Sequence, residues 1–252
     1  MSKLFRKGLI GLAMAASVLS LTGSATAMTV QPVVVNLSTS GRGMTQVVTV
    51  ENTFTAPLPV EIRIQDLVLG EDGVKGSGKD SGDLLVFPPQ ALIQPGQTQT
   101  FRLQYVGDPD LKASKHYYVT VAQLPVQLPQ GQSAIQILYN FQILVSVAPQ
   151  GAKPAVRIVD ATIGRDAKGK PVPIVTLSNE SRAHGYLSEG KLRIVQRDAA
   201  GKEVFRKVLT GPEIQQTIGF GLVGAGQKRR VVIPVELPQE GGTVEAQFTP
   251  NG

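Results

Sequence analysis

The chain has 252 residues, 27 glycines, 17 prolines, no cysteine and a formal net charge of +6. With no cysteine there is neither a disulfide staple nor a thiolate metal site, so the fold must be held by its apolar core. The glycine and proline content argues against long helices and suits many short strands and turns. Half of the charge excess is Lys3, Arg6 and Lys7, which removes the main support for nucleic-acid binding.

Those three basic residues precede an apolar run from Gly8 to about Leu21 and a small-x-small triplet, Ala25-Thr26-Ala27. The run is shorter than the roughly 20 apolar residues needed to span a bilayer. The pattern predicts a secretory signal over residues 1–27, cleaved near Ala27, and an exported protein that is not membrane-embedded. Removing 27 of the 252 residues leaves 225, enough for two domains of about 100 residues each.

Residues 29–36, 44–52, 58–67, 98–105, 116–123 and 134–147 are rich in apolar, β-branched or aromatic side chains, several in alternation, and each predicts a strand. Ser40-Gly41-Arg42-Gly43, Pro95-Gly96 and Pro129-Gln130-Gly131 separate them as turns. Gly70 to Asp83, rich in Gly, Asp, Ser and Lys, reads as a mobile surface loop. Two prolines and a glycine interrupt the pattern between Ala148 and Pro154, predicting a short hinge between a first domain, 28–149, and a second, 154–252. Beyond it, 155–162, 171–178, 186–197, 203–209, 228–236 and 243–248 again read as strands, so the expected class is all-β with two sandwich domains.

From Ile135 to Val147 every odd position is apolar: Ile135, Ile137, Tyr139, Phe141, Ile143, Val145 and Val147. Successive side chains of a strand point to opposite faces, so these seven share one face in a stripe about 40 Å long. The C-terminal part of that stripe suits a domain core. The N-terminal part extends beyond what a small sandwich needs, and an exposed edge of this kind is an aggregation hazard unless a partner covers it. Strand addition, with apolar side chains filling a groove in the partner, is one such use.

The segment Phe87-Pro88-Pro89-Gln90-Ala91-Leu92-Ile93-Gln94-Pro95-Gly96-Gln97-Thr98-Gln99-Thr100-Phe101-Arg102-Leu103, followed by Tyr117-Tyr118-Val119, Gln123-Leu124-Pro125 and the alternating strand, resembles the PapD-like periplasmic pilus chaperones of the chaperone-usher pathway. The likeness is good over about residues 30–149 and weak over 154–252. It implies two immunoglobulin-like domains in a boomerang arrangement and a periplasmic protein with no cofactor. Its partners would be pilin subunits, stabilised by donor-strand complementation, and an outer-membrane usher. The donor-strand residues implied are Ile135, Ile137, Tyr139 and Phe141, and an uncovered donor edge leaves the free protein open to self-association.

The best-known branch of that family anchors the pilin C-terminal carboxylate with an Arg and a Lys, whose positions here fall on Asn36 and Leu144. Neither makes a charge-assisted bond to a carboxylate, so the chain looks more like the archaic branch. The substitute anchors expected are Lys115 and His116, with Arg102 second.

Gly73 to Lys79 matches seven positions of a phosphate-binding loop, but Asp80 stands where Ser or Thr would hold magnesium, and an acid there repels phosphate. The two histidines, His116 and His184, lie far apart in sequence and predict no metal site. No nucleophile elbow occurs, and the acids are scattered singly. The residues alone also admit an immunoglobulin-like structural or adhesive surface module whose long strand is simply core. A sugar-processing enzyme would need two carboxylates about 5–10 Å apart in a cleft.

Overall fold

The computed structural model describes residues 28–125 and 137–251. The first half contains β1 (Met28–Gln31), β2 (Val34–Ser38), β3 (Thr45–Asn52), β4 (Leu58–Gly70), β5 (Gly73–Gly76), β6 (Leu84–Phe87), β7 (Gln90–Ile93), β8 (Thr98–Tyr105), β9 (Lys115–Gln123) and β10 (Asn140–Ala148). One sheet has the order β1-β3-β8-β6; the other runs β2-β10-β9-β4-β5, with β7 also on β4. Inward side chains such as Val48, Val50, Phe101 and Leu103 from the first sheet meet Val35, Tyr117, Val119, Ile143 and Val145 from the second in one closed core. Burying each stabilises the sandwich by about 1.5–3 kcal/mol, as period-2 alternation requires.

The second half contains β11 (Val156–Arg165), β12 (Pro171–Asn179), β13 (Gly185–Tyr186), β14 (Gly190–Arg197), β15 (Glu203–Leu209), helix α1 (Gly211–Ile218), β16 (Leu222–Val223), β17 (Gln227–Val232) and β18 (Thr243–Pro250). Its sheets are β11-β12-β17, β13-β16 and β15-β14-β18, closed over a separate core that includes Val175, Leu177, Leu192, Ile194 and Ile214. The molecule is therefore all-β with two domains. Among the described residues α1 is the one α-helix, eight residues long and started by a capping box in which Thr210 and Glu213 bond reciprocally. Among the described residues no helix is long and apolar enough to cross a membrane.

Three expectations change. The strand expected over 29–36 is broken at Pro32, which has no N–H for a ladder; β1 pairs with β3 in one sheet and β2 with β10 in the other. Of the strand expected over 134–147, residues 134–136 lie outside the described residues, as does the Pro129-Gln130-Gly131 turn, and the described strand starts at Asn140, opposite Ala122 near the end of β9. Much of Gly70–Asp83 is not an irregular loop. β4 continues to Gly70 and folds back through a two-residue turn as β5, and the turn touches the second domain: Arg230 N–H donates to the Glu71 carbonyl at 2.7 Å, Gln227 Nε2 to that of Gly70 at 2.9 Å, and Arg230 pairs with Asp72.

Buried asparagines end one strand in each domain. Asn52 Nδ2 donates to the Ala56 and Ile93 carbonyls and its Oδ1 accepts from Phe54 N–H. Asn179 Nδ2 lies 2.7–3.2 Å from the Ala183, Val223 and Gly224 carbonyls while its Oδ1 accepts from Ala155 N–H and Ser181. Loops that would otherwise bury unsatisfied backbone groups are thereby satisfied.

The domains also meet through a neutral polar cluster. Asn36, Ser146 and His116 form one cross-strand row on the outer face of the β2-β10-β9 sheet. Facing them are His184, Tyr186 and the Ser114 hydroxyl, with His184 Nε2 2.9 Å and Tyr186 Oη 3.0 Å from Asn36 Oδ1. Tyr186 Oη is 2.9 Å from Ser146 Oγ, which is 2.9 Å from His116 Nδ1; His184 Nδ1 is 3.1 Å from Ser114 Oγ. Asn36 Oδ1 only accepts, so His184 Nε2–H and the Tyr186 hydroxyl donate to it. A consistent set of protons then runs from His116 Nδ1–H to Ser146 and from Ser146 to Tyr186. The imidazoles stack edge to face at 5.2 Å.

Burial pushes His116 down to about 3, with the nearby His184 adding to the effect, and burial pushes His184 down to about 4, both from an ordinary 6.5. Between those values the unfolded chain binds protons that the folded chain refuses, so stability falls as pH drops. Urea denaturation across pH is expected to give constant stability above about pH 7 and progressive loss from about 6.5 toward 4, with a shallower slope for His184→Gln. In the same assay at pH 7.5, Asn179→Ala is expected to cost about 2–4 kcal/mol, because several buried backbone groups lose their partner at once.

Candidate functional site

The edge of β10 is unequally covered. On one side β9 pairs with it antiparallel from Asn140 to Val147. On the other, β2 pairs with it in parallel only from Leu144 to Ala148, and the first bond is Leu144 N–H to the Val33 carbonyl at 3.0 Å. Upstream of Leu144 no strand covers that edge among the described residues. Over the four residues Asn140 to Ile143 that edge is free, and the backbone groups of Asn140 and Gln142, in phase with Leu144, face it, the geometry that accepts an added strand.

The apolar stripe divides along this line. Ile143, Val145 and Val147 are buried in the first domain's own core. Phe141 is half-buried against that core, while Tyr139 is 40% and Ile137 70% exposed. Tyr139 is nevertheless held: its carbonyl accepts from Gln123 N–H at 2.9 Å, its N–H donates to Gln123 Oε1 at 3.2 Å, and its ring lies 5.7 Å from that of Phe54. Ile135 lies outside the described residues. Between Tyr139 and Ile143 the stripe passes from its own sandwich into solvent.

Gln142, Leu144 and Ser146 of β10 face the second domain. Gln142 and Leu144, with Tyr118 of β9 and Val33 before β2, line one wall of a cavity of about 400 Å³, and Phe220, Leu222 and Arg229 are on the opposite wall. This cavity lies where the free edge of β10 gives way to β2.

The three basic residues singled out from the sequence are dispersed. Lys115 Nζ is 2.8 Å from Asp83 Oδ2, which also accepts from the Tyr117 hydroxyl at 2.8 Å. Partial burial pushes the Asp83 carboxyl up, but the bonds from Lys115 and Tyr117 outweigh it and hold the acid below its usual range; the same bond raises Lys115. His116 is buried in the neutral cluster between the domains and carries no charge at neutral pH. Arg102 is exposed on β8, in the sheet that does not contain β10, opposite Val47 and Phe87. None of the three offers an unpaired cation on the face shared with β10. Asn36 is instead an acceptor joining the domains. Arg229, which the sequence reading passed over, is the cation lining the cavity; its signal was a basic residue in phase with core Val231 on β17.

No curated protein matches the sequence significantly. Solved structures of similar fold include the YadV chaperone (14% identity, TM-score 0.53, covering 88% of this chain and 91% of that one). Another is the Salmonella enterica SafA pilin in complex with the SafB chaperone (14% identity, TM-score 0.52, 84% and 86% covered). A third is a chaperone-tip adhesin complex of CFA/I fimbriae biogenesis (14% identity, TM-score 0.51, 89% and 100% covered). At such identities the likeness is one of fold. The family model for pili and flagellar-assembly chaperones, PapD N-terminal domain, matches residues 27–153, half of the chain, and spans both sheets of the first domain together with the half-covered β10. The chain belongs to the PapD-like family of pilus-assembly chaperones.

Proposed function

We propose that this protein is a periplasmic chaperone that lends β10 to pilus subunits lacking a strand and hands them to an outer-membrane usher. The observation that carries this reading is the free edge of β10 upstream of Leu144, with Ile137 and Tyr139 exposed beside it. A subunit short of one strand exposes a groove into its core. Ile135, Ile137, Tyr139 and Phe141 enter that groove, and each fully transferred side chain stabilises the pair by about 1.5–3 kcal/mol. Backbone bonds to Asn140–Ile143 set the register, because a slip of one residue would turn the apolar face outward. The reading takes residues 1–27 as a signal removed near Ala27, 28–149 as the donor domain and 154–252 as the second lobe. Binding supplies all the energy, with no cofactor and no reaction.

A pilin and a tip adhesin, each in complex with a chaperone of the same fold, favour this over an adhesive module. Co-expression with a pilus subunit from the same genome, followed by native mass spectrometry of the purified complex, is expected to give one chaperone per subunit. Ile137→Asp is expected to weaken binding by about 100-fold or more, since an Asp would have to enter an apolar groove. Its melting temperature is expected to stay within a degree or two, because the side chain is 70% exposed in the free protein. Equal recovery of subunit with a well-folded variant would refute strand donation.

A further inference from the structure

Beyond the β9–β10 ladder, β9 holds the donor segment with a side chain in place of its main chain. The ladder runs in register from Val147 opposite Lys115 to Asn140 opposite Ala122, so Tyr139 and Gln123 form the next pair. A hydrogen-bonded pair of this kind exchanges two main-chain bonds. The first is present, with Gln123 N–H donating to the Tyr139 carbonyl at 2.9 Å. In the second, Tyr139 N–H donates at 3.2 Å to Gln123 Oε1, the side-chain carbonyl. β9 stays with β4 here, Leu124 N–H donating to the Pro59 carbonyl, and Pro125 follows with no N–H to offer. The amide of Gln123 stands in for the main-chain carbonyl that this pair lacks.

The bond falls where the sequence leaves the register open. From Asn140 to Ile143 polar and apolar residues alternate, but Ile137, Leu138 and Tyr139 are all apolar, 70%, 42% and 40% exposed. Three apolar residues in a row do not say which side chains enter a partner's groove, and a slip of one residue would offer Leu138 in place of Ile137. The Gln123–Tyr139 pair removes that freedom. It fixes the Tyr139 backbone, while the ring lies 5.7 Å from that of Phe54, whose N–H is itself bonded to buried Asn52. Tyr139 stays in line with Phe141 and Ile143, and Ile137, two residues upstream, falls on the same face. We infer that Gln123 is a positioning residue for strand donation, its side chain setting which face of Ile137-Leu138-Tyr139 the subunit receives. This rests on the strand-donation reading.

The test combines amide hydrogen exchange in the free chaperone with subunit binding. Wild type, Gln123→Leu and Gln123→Glu are compared, each also carrying Ile137→Asp or Leu138→Asp. Gln123→Leu removes the acceptor at similar size, and Gln123→Glu keeps an oxygen at the same reach. The Tyr139 amide is expected to exchange about 3- to 10-fold faster in Gln123→Leu and no faster than wild type in Gln123→Glu, at unchanged melting temperature. With Gln123 intact, Ile137→Asp is expected to weaken binding by about 100-fold and Leu138→Asp by less than about 3-fold. In Gln123→Leu that contrast is expected to shrink by about 3- to 10-fold, and in Gln123→Glu to return. Unchanged exchange at Tyr139, or a contrast that survives in Gln123→Leu, overturns the inference and leaves strand donation standing. Equal losses from Ile137→Asp and Leu138→Asp with Gln123 intact also overturn it, whether or not Gln123→Leu folds well. A lowered melting temperature in both Gln123 variants, with binding lost to match, overturns it in favour of a structural role. Failure of the wild-type protein to bind the subunit overturns strand donation and the inference with it.

Discussion

The structure turns on where β2 stops. Because β2 and β10 are paired only from Leu144 onward, one strand serves two purposes along its length: its C-terminal half closes a sandwich, and its N-terminal half lies open on one side. An open edge with apolar neighbours is normally a hazard. Here the hazard is contained. The β9 ladder fixes one side of β10, Gln123 and Phe54 hold Tyr139, and the uncovered part of β10 is four residues, Asn140 to Ile143.

The second constraint is the join between domains. Asn36, Ser146 and His116 belong to the sheet that carries β10, and the groups meeting them, His184 and Tyr186, belong to the second domain. Uncharged groups joined by hydrogen bonds fix an orientation without the desolvation cost of a buried ion pair. The β4-β5 turn adds a second point of attachment through Glu71, Asp72 and Arg230. Both attachments join the two domains whose residues Leu144 and Arg229 line one cavity.

Local pattern made much of this legible. The alternation from Ile135 to Val147 marked the strand and its face, and Ile143, Val145 and Val147 are in the core as alternation demands. The Thr210-Gly211-Pro212-Glu213 run is a capping box ahead of Ile214, a helix signal that the strand-rich reading overlooked. The glycine-rich stretch after Gly70 was misread because composition reports turn tendency and not partners. Leu67 to Gly70 find theirs in Gly73 to Gly76, and the turn is held by a β17 residue far away in sequence.

The sequence by itself determined the all-β class, the family, the apolar stripe and the lack of any basic residue at Asn36 and Leu144, because each follows from side-chain chemistry at short spacing. Only tertiary structure decided where the stripe leaves its core, that Lys115 is taken by Asp83, that both histidines are buried against each other, and that Arg229 looks onto the end of the open edge. These are pairings between residues tens to more than a hundred positions apart. They depend on which neighbour arrives first at a given edge or charge, and no local period records that.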